Sequence, residues 1–127
     1  MKLRLQSNSV RLRLKRGEVE QLVKLGRVEE TIIVGDGAED LFVYALESSP
    51  KVFAPKVSLA KNHLLVEVPR ETAVRWATGE DVGIETALSV GGGRELRVLV
   101  EKDFACLNGP EEQNRDTFPN PLAGTKC

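Results

Sequence analysis

The chain has 127 residues, 41% of them hydrophobic and 29% charged, with a formal net charge of −1. That length suits a single domain over 1–127 that buries about two thirds of its unfolded surface, and the near-neutral charge argues against bulk attraction to nucleic acid or an anionic membrane. Apolar runs stop at four or five residues, so neither a membrane-spanning helix nor a secretory leader is expected.

Leu3 and Leu5 alternate with Lys2 and Arg4, Ser7-Asn8-Ser9 makes a turn, and Val10, Leu12 and Leu14 alternate with Arg11, Arg13 and Lys15. This period of two predicts a hairpin over 2–14. The period then changes: Val19, Leu22 and Val23 share one face of a helix over 17–25, and Gly26 is a natural residue to end it. A strand over 28–34 leads through Gly35-Asp36-Gly37 to a strand over 40–46. The second of these is apolar on both faces, which predicts a central position. Ser48-Ser49-Pro50 and Pro55 mark a joint, after which strands near 56–61 and 63–68 flank a turn at Asn62. Pro69 and Glu71 suit the first turn of a second helix that Gly79 ends. Strands over 82–90 and 95–101 flank Gly91-Gly92-Gly93, a hairpin turn and so not a phosphate cradle. From 103 to 127 no period is visible, and Phe104, Leu107, Phe118 and Leu122 are the residues able to pin this tail to a sheet.

The first unit recurs 54 residues later, with Leu5 falling on Leu59, Asn8 on Asn62, Val10 on Leu64 and Leu22 on Trp76. One inserted residue then moves the offset to 55, which sets Leu41, Val43 and Ala45 against Leu96, Val98 and Val100 as inward-facing pairs. The expected architecture is a duplicated ββαββ unit, repeat one over about 2–46 and repeat two over about 56–101. Its class is α+β, an antiparallel sheet or closed barrel with both helices packed on it, because an open sheet of eight strands leaves two edges for closure or a homodimer to cover. Trp76 reads as core.

Val10-Arg11-Leu12-Arg13-Leu14, Gly26-Arg27-Val28-Glu29-Glu30-Thr31, Tyr44-Ala45-Leu46-Glu47, Val82-Gly83-Ile84-Glu85, Val100-Glu101-Lys102-Asp103-Phe104-Ala105-Cys106-Leu107 and Phe118-Pro119-Asn120-Pro121 together resemble a family of small uncharacterised bacterial proteins. The likeness covers nearly the whole chain. It implies a shared domain with no assigned activity, and a Thr or Ser ahead of the first helix, where this chain has Lys15-Arg16-Gly17.

The charge pattern carries the functional reading. Lys2, Arg4, Arg11, Arg13 and Lys15 project the same way from one hairpin, and Arg16 follows them. Like charges facing one another across strands are unfavourable unless compensated. One compensation is an anion, held by these cations and by backbone N–H groups at the start of the first helix, and belonging to an acidic protein or a small ligand. Neutralising Arg11 and Arg13 should then weaken binding with little loss of fold. The other is a ladder of ion pairs with Glu29, Glu30, Glu47 or Glu67. Apart from Arg70 the second repeat lacks these cations, so the fold does not require them.

Other chemistry is thinly supplied. Cys106, Cys127 and His63 are one ligand short of a structural zinc site unless Asp103 or a dimer mate completes it. A buried thiol at Cys106 and a frayed end at Cys127 explain them as simply, and two cysteines without a leader point to a reducing cytoplasm. No nucleophile elbow, phosphate loop or HExxH pattern occurs, which leaves Glu101 and Asp103 as the carboxylate pair for any hydrolytic chemistry. The reading is a cytoplasmic, non-catalytic binding module without cofactor. A redox- or metal-responsive tail and a carboxylate-dependent hydrolase are the alternatives.

Overall fold

The computed structural model describes residues 1–104 and 116–119. Strands β1 (Lys2–Gln6) and β2 (Ser9–Leu14), helix α1 (Arg16–Leu25) and strands β3 (Arg27–Ile33) and β4 (Leu41–Ser49) make the first half. Strands β5 (Lys56–Ala60) and β6 (His63–Pro69), helix α2 (Arg70–Thr78) and strands β7 (Gly83–Ser89) and β8 (Glu95–Lys102) make the second. Local chemistry accounts for most of these boundaries. Ser7 and Asn8, and again Lys61 and Asn62, take positive φ in two-residue turns, the geometry that matches the twist of a tight hairpin. Gly26 ends α1 at φ +80° with its N–H on the Leu22 carbonyl, a backbone state open to glycine because it lacks a Cβ.

The strands form two four-stranded sheets, β1-β2-β8-β7 and β3-β4-β6-β5. Each joins a hairpin from one half to a hairpin from the other through a central parallel pair, β2 with β8 and β4 with β6. The fold is therefore α+β as expected, but neither sheet closes into a barrel and neither is wholly antiparallel. Exchange of hairpins between halves leaves four short edges, β1, β7, β3 and β5, instead of a single closed wall. β4 is central, as its two apolar faces require. Among the described residues no helix is long and apolar enough to cross a membrane.

One hydrophobic cluster unites the sheets and helices. Val10, Leu12, Leu14, Val98 and Val100 come from the first sheet, and Val28, Tyr44, Leu46, Leu64, Val66 and Val68 from the second. Val19 and Leu22 of α1 and Ala73 and Trp76 of α2 fill the space between. Val19 with Leu22 and Ala73 with Trp76 stand 54 residues apart and are buried alike, so a larger side chain at one position is offset by a smaller one at the other.

The register corrects the expected offset in the last strand. Hydrogen bonds from Arg97 N–H to the Asn8 carbonyl and from Val43 N–H to the Asn62 carbonyl match at a separation of 54, not 55. The inward residues of β4 and β8 are accordingly Tyr44 with Val98 and Leu46 with Val100. Val43 and Ala45 are buried, but they lie outside that core cluster. The turn from α2 to β7 is longer than its counterpart, which is Gly26 alone, and the β7–β8 turn is shorter than the β3–β4 turn. With α2 one residue shorter than α1, these length changes cancel before β8. A one-residue error in register transfers every side chain to the opposite face, so only the strand pairing itself could resolve it.

Tyr44 gives a pH test of this core. Its hydroxyl donates to the Met1 carbonyl oxygen at 2.7 Å, while Glu18 and, at 3.1 Å, Glu30 hold the Met1 ammonium beside it. Burial, reinforced by the negative charges of Glu30 and Glu18, raises the Tyr44 pKa above the usual phenol value. The folded state therefore keeps its proton where the unfolded state loses it, and stability should fall as pH climbs through roughly 10 and beyond. Tyr44 is the one tyrosine of the chain. Its ultraviolet phenolate absorbance should titrate above that of the urea-unfolded protein, and coincident curves would contradict the assignment.

Candidate anion-binding site

The hairpin register sets Lys2 opposite Arg13 and Arg4 opposite Arg11 on the outer face of the first sheet. Parallel pairing with β8 then brings Glu101 beside Arg13 and Leu99 beside Arg11. Glu101 Oε1 accepts the Nε–H groups of both Arg11, at 2.5 Å, and Arg13, at 2.6 Å. The carboxylate is nearly buried, 11% exposed, whereas the Arg11 and Arg13 side chains are 29% and 36% exposed. One acid thus holds two guanidinium groups side by side through their Nε atoms. Lys2 Nζ lies 3.0 Å from the buried Asp103 Oδ2, an ion pair by distance without hydrogen-bond geometry. Arg4 has no ion pair among the described residues. Lys2, Leu3, Arg4, Arg11 and Arg13 line a shallow depression of about 180 Å³. Four cations against two carboxylates leave it positive.

The other two residues of the cationic run go elsewhere. Lys15 and Arg16 do not line the depression. The N-terminal groups of α1 are taken by the tail: Arg16 N–H donates to the Asp116 carbonyl at 2.8 Å and Gly17 N–H to Asp116 Oδ2 at 3.1 Å. Glu18, in the first turn, accepts the Lys15 N–H at 2.9 Å and returns its own N–H to the Lys15 carbonyl at 3.0 Å. The helix donors expected to complete an anion site are therefore occupied by the chain's own carbonyl and carboxylate oxygens. A side-chain cap of this kind is worth about 1 kcal/mol, and it does what a Ser or Thr at the helix N-cap would do. Phe118 N–H donates to the Asp103 carbonyl at 2.8 Å, and the Arg16 guanidinium and Lys102 ammonium each lie 5.6 Å from the Phe118 ring centroid. Phe104 and Phe118 do pin the tail, while Leu107 and Leu122 lie outside the described residues.

The acids expected to form a ladder with the cationic stripe belong to the other sheet or its surroundings. Glu47 and Glu29 hold Arg27 at 2.7 and 2.8 Å, Glu30 holds the Met1 ammonium, and Glu67 faces Lys56 in register. Glu101 and Asp103 take that role for the stripe, so the pair considered for hydrolysis is engaged with cations. The signal for Glu101 was present: it lies 54 residues after Glu47, which is also held by an arginine. Asp116 carried no such signal, since nothing in its neighbours marks it as a cap for a helix a hundred residues away. His63 is exposed, its Nδ1 2.8 Å from the Lys61 carbonyl oxygen, and Cys106 and Cys127 lie outside the described residues. Among the described residues no three His, Cys, Asp or Glu side chains gather as a metal site would need.

Fold and site together define a two-sheet α+β protein whose most organised charged feature is a pair of arginines clamped by one glutamate. The chain belongs to DUF7009, a family of unknown function whose model matches residues 1–122. No curated protein and no solved structure matches it.

Proposed function

We propose that this chain is a non-catalytic binding module whose ligand carries a phosphate-sized oxyanion, seated in the depression formed by Lys2, Arg4, Arg11 and Arg13. The observation that carries the reading is the Glu101 clamp. It neutralises one of two adjacent guanidinium charges and holds both side chains through their Nε atoms. Preorganised donors lose little entropy on binding, which is the usual basis of tight oxyanion recognition by arginine. We further propose that the two halves descend from one duplicated ββαββ unit. The matched hairpin turns, helices and parallel pairings support this, and the charges mark where the halves diverged. Arg4, Arg11 and Arg13 stand where the second half has Ser58, Leu65 and Glu67. The cations that line the site come from the first half alone, while the second half supplies the Glu101 that holds two of them.

Arg4 supplies the cleanest test because it has no ion pair to lose. Titration with inorganic phosphate should show saturable binding that weakens as salt rises. Arg4→Gln should reduce that affinity about tenfold, the worth of one charge-assisted hydrogen bond, with the melting temperature unchanged or slightly raised. No phosphate binding by the unmodified chain, or equal binding by the variant, would end the proposal.

A further inference from the structure

An apolar cleft of about 610 Å³ opens between the two sheets at the end carrying the β1–β2 and β5–β6 turns. Its origin is visible in the packing. α1 and α2 follow the C-terminal ends of β2 and β6, and there Leu12, Leu14, Val66 and Val68 are fully buried. Among the described residues no helix covers the opposite end, and Leu5 and Leu59 stand 58% and 69% exposed at its mouth. The walls are built from residues 54 apart, Leu5 with Leu59, Val10 with Leu64, and Phe42 with Leu96. The volume lies within the range of small-ligand sites, roughly 300–1,000 Å³.

Two asymmetries on this otherwise balanced cleft indicate what fills it. Polar lining comes from one turn only, residues 6–9, and the matching turn at 60–63 contributes none. The next residues along the same hairpin are Arg4, following Leu5 inward, and Arg11, following Val10, whereas their counterparts are Ser58 and Leu65. Leu3 joins the two features. It lines the cationic depression, yet by strand alternation it shares a face with Leu5, which lines the cleft. Leu3, on the edge strand β1, thus stands between depression and cleft, which share no lining residue.

We infer that the cleft takes the aliphatic chain of a monomeric single-chain amphiphile whose anionic head is the oxyanion held by Arg4 and Arg11. This rests on the anion site proposed above and specifies its ligand class: one linear hydrocarbon chain ending in a phosphate-like group. Charge at one end and apolar wall at the other fit such a molecule, and neither a plain oxyanion nor an uncharged oil would use both.

Calorimetric titration of the full chain with inorganic phosphate, octyl phosphate and octanol tests it, with backbone amide NMR to locate the contacts. Octyl phosphate should bind at least ~100-fold more tightly than phosphate, given the methylenes it would bury, and should shift Leu5, Phe42 and Leu59 together with Arg4 and Arg11. Leu5→Gln combined with Leu59→Gln, both at exposed positions, should return octyl phosphate to the affinity of phosphate and leave phosphate binding unaltered. Octyl phosphate binding no more tightly than phosphate would overturn this inference while the anion site stood, and octanol matching octyl phosphate would overturn the role of the head group. Absence of binding by both anions would remove both proposals. Self-association through Leu5 and Leu59 that octyl phosphate does not reverse, or binding confined to anionic bilayers, would also overturn it.

Discussion

Trp76→Ala should cost about 3–5 kcal/mol of folding stability, the usual range for emptying a large aromatic site in a core. Trp76 is 1% exposed and lies within the one cluster that joins both sheets and both helices. Its Nε1–H also donates to the Val82 carbonyl at 3.1 Å, and that carbonyl accepts the Lys102 N–H as well. The side chain thus fixes the longer connection that leads from α2 into β7. Removing it leaves a cavity and frees the segment whose length keeps β8 in register. The Val82 carbonyl keeps the Lys102 N–H as a donor, so the cavity supplies most of the loss. Leu22→Ala, at the corresponding place on α1, should cost about 2–5 kcal/mol for the same reason. Urea unfolding followed by circular dichroism measures both. A loss below about 1 kcal/mol for Trp76→Ala, the range of surface substitutions, would mean that the helices do not fill the core as described.

The double substitution Arg11→Gln with Arg13→Gln is the second large effect, and it differs from the expectation that the charge pattern alone suggests. Read as a solvent-facing stripe, these arginines would be dispensable to the fold. With Glu101 11% exposed and both Nε–H donors on a single oxygen, their removal strands a nearly buried carboxylate. The expected loss is about 2–4 kcal/mol, towards the lower part of what breaking a buried pair costs because the arginines are themselves partly exposed. Adding Glu101→Gln should restore most of that stability, since an amide is far cheaper to bury than an unpaired charge. Restoration of fold without restoration of phosphate binding would separate the structural task of the clamp from its proposed functional one. Chemical denaturation of the single, double and triple variants forms the required cycle, and a double variant as stable as the parent would show that Glu101 is solvated after all.

Local order was legible in the residues themselves. Alternation of Leu with Lys and Arg over β1 and β2, the two-residue turns at Ser7-Asn8 and Lys61-Asn62, the stop at Gly26 and the central character of β4 each depend on neighbours within a few positions. So does the recurrence of the first hairpin and helix 54 residues on. Backbone sterics and side-chain period act at that range, and they are written directly in the sequence.

Tertiary structure decided the remainder, because it turned on which distant strands pair and on how loop lengths add up. Two hairpins, each sound in isolation, can join a partner from either half, and only the packed core selects β2 with β8 and β4 with β6. That choice carries Glu101 to Arg11 and Arg13 and separates Glu29, Glu47 and Glu67 from them. The face of β8 depended on a longer turn before β7 and a shorter one after it, a parity that single-residue offsets in a weak repeat do not reveal. The cap at α1 depended on Asp116 returning from the far end of the chain, and the cleft on where two helices stop covering two sheets. Each is a non-local contact whose free energy is gained only after the chain has closed upon itself, so no window of sequence contains it.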